Sequence, residues 1–128
     1  MELKTRLYIV DEQGEKFMGL GVLWLLRTIE QGNSLRQGSA HLGISYSKAY
    51  AMISTLEKKL GMKVLQRKRG GAERLGSTLT EFGVEFVALY DEFQTSATKA
   101  LAAPFAHFST SYADLWQRHK QKEPNHGD

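Results

Sequence analysis

From Leu3 to Val10 apolar and polar positions alternate, with Leu3, Thr5, Leu7 and Ile9 on one side and Lys4, Arg6 and Tyr8 on the other. That period of two predicts a half-buried strand. Asp11-Glu12-Gln13-Gly14 reads as a turn and Glu15 to Met18 as a short returning strand, which makes an N-terminal hairpin. Gly19-Leu20-Gly21 breaks the pattern, after which Val22, Leu25, Leu26 and Ile29 recur at helical spacing until Gly32 and Asn33 stop them. Ser34, with Gln37 three residues on, has the form of a capping box and opens a short helix to about Leu42. Gly43 ends it, Ile44 is a buried turn residue, and Ser45 caps the next helix, which buries Ala49, Met52, Ile53, Leu56 and Leu60 before Gly61. Two helices joined by so short a glycine-containing turn are a helix-turn-helix.

The pattern then returns to strands. Val64 to Lys68 is predicted as one strand and Ser77 to Leu79 as its partner, with a glycine-rich loop from Gly70 to Gly76 between them: a wing. Thr80 caps a long helix in which Phe82, Phe86, Tyr90, Phe93, Ala97 and Ala100 fall near a four-three repeat, the seam of a coiled coil or helix pair. Pro104 is expected to end or bend that helix, leaving a tail with a short helix around Tyr112 to His119 and a frayed end. The fold class is therefore α+β, a winged helix-turn-helix with an N-terminal β-hairpin and a long C-terminal dimerisation helix. Residues 1–103 form the domain, its dimerisation helix at about 80–103, and residues 104–128 form the tail.

Composition narrows the function. The 128 residues are 41% hydrophobic, enough for an ordinary core, and contain no cysteine, which excludes disulfides and thiolate metal sites. No apolar run approaches the roughly 18 residues of a membrane span and the charged start is unlike a signal peptide, so the cytoplasm is the expected compartment. The net charge of +3 gains meaning once mapped. From Ser45 to Arg74 eight cations oppose Glu57 and Glu73, a local +6, whereas Thr80 to Ala103 carries −3. A basic middle beside an acidic helix suits a polyanion.

On the helix from Tyr46 to Leu60, turning the apolar residues inward leaves Ser47, Ala51, Ser54 and Lys58 outermost, flanked by Lys48 and Tyr50. Small, polar and cationic side chains on an outward helix suit a major groove about 12 Å wide. The DNA-contact candidates are Ser45, Tyr46, Ser47, Lys48, Tyr50 and Ser54, with Arg67, Lys68, Arg69 and Arg74 from the wing, where cations supply affinity more than sequence choice. The candidate dimer interface is Phe82, Phe86, Tyr90, Phe93 and Ala97. Catalytic signatures fail. Gly71 and Gly76 have phosphate-loop spacing, but Ser77 stands where the lysine must be, and Trp24 occupies the third glycine position of a dinucleotide fingerprint. The four histidines lack metal-ligand spacing, and no Gly-x-Ser-x-Gly occurs. No enzyme activity, cofactor or metal is expected.

Gly43-Ile44-Ser45-Tyr46-Ser47-Lys48-Ala49-Tyr50, then Leu56-Glu57 and Leu60-Gly61, then Val64-Leu65-Gln66-Arg67, Gly70-Gly71 and Leu79-Thr80-x-x-Gly83 resemble the DNA-binding domain of the molybdate-responsive ModE-type regulators. More distantly they resemble the LysR-type winged helix. The resemblance covers roughly Leu3 to Leu101. It implies that the long C-terminal helix pairs with a second copy, that Tyr46, Ser47, Lys48 and Tyr50 sit on a recognition helix, and that Arg67 lies at the wing. Three departures stand out. Ser47-Lys48 replaces the two cations common after the Ser-Tyr. Glu73, Arg74 and Leu75 interrupt the wing glycines. Gly38 stands where a small residue, often alanine, is usual. ModE-type regulators also carry a molybdate-binding domain, for which the 25 residues after Ala103 are too few, so no molybdate site or other small-molecule effector is expected within this chain. The expected partners are double-stranded DNA and a second copy of the chain, in a transcription regulator. The competing readings are a winged-helix protein-interaction module that leaves DNA alone, and a small oxyanion sensor.

Overall fold

A computed structural model describes residues 1–67 and 77–122 in two compact units, one of residues 6–94 and one of residues 1–5 with 95–128. In the larger unit, strands β1 (Tyr8–Val10) and β2 (Lys16–Gly19) pair antiparallel, Tyr8 opposite Gly19 and Ile9 opposite Met18, with an irregularity before Val10. The Asp11 carboxylate shapes the turn, one oxygen accepting from the Gln13 and Glu15 amides at 2.9 Å each, while Gly14 takes φ +82°. The paired strand is shorter than the predicted Leu3 to Val10. Of the four positions predicted to face inward, Thr5 and Leu7 are half-buried but Leu3 and Ile9 are exposed, and the returning segment from Lys16 reaches only three partners. The returning strand lies one residue later than predicted, at Lys16–Gly19.

Helix α1 (Leu20–Glu30) begins inside the segment predicted as a break, because Gly19 takes an extended conformation and serves as its N-cap. Val22, Leu23, Leu25, Leu26 and Ile29 are all buried. Each such aliphatic contributes ~1.5–3 kcal/mol on burial, so α1 is the centre of the core. It packs against β2, β4 and the helix-turn-helix formed by α2 (Leu35–Leu42) and α3 (Tyr46–Leu60). The Ser34 capping box is complete: the Gln37 amide donates to Oγ at 3.0 Å and the Ser34 amide donates to the Gln37 side chain at 2.7 Å. Gly43 and Gly61 close α2 and α3 in the left-handed conformation, φ +71° and +70°. Gly38 has a packing reason. A Cβ there would sit 2.8 Å from Thr28 Oγ1, so α1 and α2 touch through a missing side chain.

Strand β3 (Leu65–Arg67) pairs antiparallel with β4 (Ser77–Leu79), Leu65 opposite Leu79 and Arg67 opposite Ser77. A hairpin following the second helix of a helix-turn-helix is a wing, and the fold is the predicted α+β winged helix. The loop between these strands, with Lys68, Arg69 and Arg74, lies outside the described residues. Glu57 of α3 fastens β3 in place, one carboxylate oxygen accepting from the Val64 amide at 2.8 Å and the Leu65 amide at 3.2 Å.

Helix α4 (Glu81–Ala100) brings Val87 and Tyr90 into the core of the larger unit. The Tyr90 hydroxyl donates to the Leu7 carbonyl at 3.3 Å, and burial pushes its phenol above the ordinary value of 10.0. A phenol whose folded value is raised contributes stability that is complete below the unfolded value and is lost as pH climbs beyond it. Above pH ~10 the urea midpoint of the wild type should therefore fall more steeply than that of Tyr90→Phe. Parallel curves would contradict this.

In the smaller unit the chain does not stop at Pro104. A second long helix, α5 (Ala102–Lys122), replaces the predicted tail with its short helix at Tyr112 to His119. Pro104 lies in its first turn, where an amide has no intrahelical acceptor and the fixed φ of proline is already helical. No residue of α5 is buried. Phe105, Phe108, Tyr112, Leu115 and Trp116 share one face, whereas Asp114 and Arg118 pair on the opposite one.

Candidate nucleic-acid interface

Helix α3 presents the predicted surface. Ala49, Ile53 and Leu56 are buried, Met52 and Leu60 only partly so, because these two sit at the edges of the inward face. Ser45, Tyr46, Ser47, Lys48, Tyr50, Ala51 and Lys58 are exposed, and Ser54 is half-buried. Ser45 Oγ accepts from the Lys48 amide at 3.1 Å, which fixes the start of the helix. Tyr46 and Tyr50 lie one turn apart, ring centroids 6.4 Å from each other.

Electrostatics on this face are one-sided. Glu57 is the only carboxylate between Tyr46 and Leu60, and it is turned to β3 and Lys63 with 14% of its side chain exposed. Lys59 at the far end of α3 is neutralised by Asp11 of the hairpin turn. That contact holds the Asp11 carboxyl below its ordinary value and the Lys59 ammonium above its own. Lys48 and Lys58 form no ion pair among the described residues. The outer face is thus cationic at its edges and free of acid.

Sequence reasoning missed Arg36. It lies on α2, exposed, with its guanidinium carbon 4.5 Å from the Tyr46 ring centroid. The stacking adds a cation beside the start of α3, worth ~0.5–1 kcal/mol at an exposed site. Ten residues separate the pair along the chain, so only the angle between two helices brings them together. The signal was indirect: an exposed arginine on the first helix of a helix-turn-helix.

Of the wing candidates, Arg67 ends β3, and Lys68, Arg69 and Arg74 lie outside the described residues. The five seam positions of α4 divide. Tyr90 is 3% exposed and belongs to the core, and Phe82 and Phe86 are half-buried against it. Phe93 is 51% exposed, with Leu89 beside it, while Ala97 is half-buried within the smaller unit. The aromatic repeat therefore serves the protein's own core at its start, where Gly83 lies against Val64 and where Val87 and Tyr90 join the buried cluster. Among the described residues no helix is long and apolar enough to cross a membrane.

No family model matches the chain. It is 33% identical over 76 residues to the transcriptional regulator ModE of Yersinia pestis, a match covering 59% of this chain and 29% of that protein. It is also 33% identical over 67 residues to the DNA-binding transcriptional dual regulator ModE of Escherichia coli (strain K12), covering 52% and 26%. The chain thus spans less than a third of the length of these curated relatives. Among solved structures, ArgP from Mycobacterium tuberculosis overlaps it with a TM-score of 0.49 and 19% identity, over 65% of this chain and 29% of that one. The chain carries a winged helix-turn-helix that is similar in sequence, across more than half of its length, to the ModE transcriptional regulators.

Proposed function

We propose that the chain is a sequence-specific DNA-binding transcription regulator that acts as a homodimer. The observation that carries this reading is the outward face of α3, exposed, acid-free and edged by Lys48, Lys58 and the Arg36–Tyr46 stack. In this reading the first half of α3 lies in the major groove. Ser47, Lys48 and Tyr50 reach base edges, while Ser45, Tyr46 and Arg36 hold the phosphate backbone. Ser54 lines the same face, and the wing, with Arg67, Lys68, Arg69 and Arg74, follows the flanking backbone. No step makes or breaks a bond.

What supports the homodimer is apolar surface on the last two helices. On α5, five large apolar or aromatic side chains share a face with nothing buried, and Leu89 and Phe93 add a shorter edge on α4. Helices in proteins owe most of their stability to packing an apolar face against a partner, and stripes of this kind mark association. A two-fold pair would read half-sites about one turn, ~34 Å, apart or a multiple of it.

Random-site selection followed by fluorescence anisotropy tests the reading. Lys48→Ala should cost ~1–3 kcal/mol on the selected duplex and change the preferred bases, with a smaller loss on scrambled sequence. Equal losses on both duplexes would remove Lys48 from base reading, and no binding to any duplex would leave the protein-interaction alternative.

A further inference from the structure

Between the N-terminal hairpin and the helix-turn-helix lies an open groove of about 590 Å³. Its walls are Phe17, Trp24, Leu42, Ile44 and Met52, and Gly21 lies where a side chain would occupy it. Ligand sites of ~300–1,000 Å³ with apolar walls and few polar groups are the usual size and character. Trp24 is 49% exposed on the side of α1 turned away from its buried residues, so its indole spends half its surface on the groove and solvent rather than on packing. Lys16, Lys48 and Glu15 supply the charge, one cation in excess. Lys16 is engaged over the Tyr8 ring, 5.2 Å from its centroid, whereas Lys48 has no carboxylate partner among the described residues and stands in the first turn of α3, where the helix dipole also favours an anion.

We infer that this groove is a binding site for a small aromatic carboxylate, its ring against Trp24 and Met52 and its carboxylate on Lys48. Size, apolar walls and the excess cation select that class over a neutral or cationic molecule. Lys48, Ala51, Met52 and Thr55 form one flank of α3, and Lys48 belongs to both the groove and the face assigned to DNA. Occupancy of the groove and engagement of DNA by Lys48 therefore exclude one another, a consequence that rests on the function proposed above. The binding site does not.

The test is a titration of the ¹⁵N-labelled protein with 2-naphthoate and, separately, with uncharged 2-naphthylmethanol. Shifts should gather at Gly21, Ile44, Lys48, Met52 and the Trp24 indole, with the acid bound about fivefold more tightly, the worth of an exposed ion pair. Lys48→Gln should abolish that preference. Gly21→Leu, which fills the groove on a helix that favours leucine over glycine, should weaken both probes about tenfold or more. Equal affinities for the two probes, or shifts that gather at Trp116 and Phe108 of α5, would overturn the site. Displacement of 2-naphthoate by duplex DNA is the further expectation. A protein that binds 2-naphthoate here but no DNA keeps this site and loses the regulator reading, and DNA binding without clustered shifts does the reverse.

Discussion

Gly83→Ala should lower the urea midpoint of the larger unit by the equivalent of about 3 kcal/mol, the upper range for forced overpacking. The reason is a backbone contact. The Thr80 amide donates to the Val64 carbonyl at 2.9 Å, and the Thr80 hydroxyl donates to the Lys63 carbonyl at 2.8 Å while accepting from the Gly83 amide at 2.9 Å. These bonds draw the first turn of α4 onto the link between α3 and β3. A Cβ on Gly83 would then lie 2.4 Å from the Val64 carbonyl oxygen, far inside van der Waals contact, and the neighbour is main chain held from both sides. Neither partner can swing aside as a flexible side chain would. Alanine's better helix propensity returns only ~1 kcal/mol of the loss. Denaturation followed by circular dichroism reads the shift, and a change under ~1 kcal/mol would show that α4 can lift away without cost.

Affinity for a specific duplex should fall by ~10³–10⁵ between 50 and 200 mM salt if the proposed dimer neutralises ~6–10 phosphates. Each subunit offers Arg36, Lys48 and Lys58 on the helices, plus the wing cations Arg67, Lys68, Arg69 and Arg74. Lys59 is excluded from that sum because Asp11 already neutralises it. Asp11→Asn frees this lysine. It should steepen the salt dependence if Lys59 then reaches a phosphate and leave it unchanged otherwise, so the variant tests whether the hairpin limits the cationic surface. Anisotropy at a series of salt concentrations gives the slope, ~0.9 per phosphate. A flat curve would mean that the acid-free face of α3 meets no polyanion.

The parts of the fold legible in the sequence are those governed by neighbours a few residues apart. Ser34 with Gln37, Ser45, Gly43 and Gly61 mark helix ends through contacts within one turn, and each marks the end observed. The three- and four-residue spacing of Ala49, Ile53 and Leu56 places the inward side of α3, and with it the outward one. The second helix at Ala102–Lys122 was harder to read, because Pro104 stops a helix in its interior but is tolerated in a first turn, and periodicity does not say which position it holds.

What the sequence by itself determined is the order of elements, the helix-turn-helix with its hairpins, and which side of α3 is polar and cationic, since caps and periodicity act locally. Only the tertiary structure decided the rest. It placed Tyr90 in the core rather than on a seam, set Arg36 over Tyr46, turned Glu57 to β3 and gave Gly83 its carbonyl neighbour. Each of these depends on how two elements cross, a geometry set by the whole packed core rather than by any one segment.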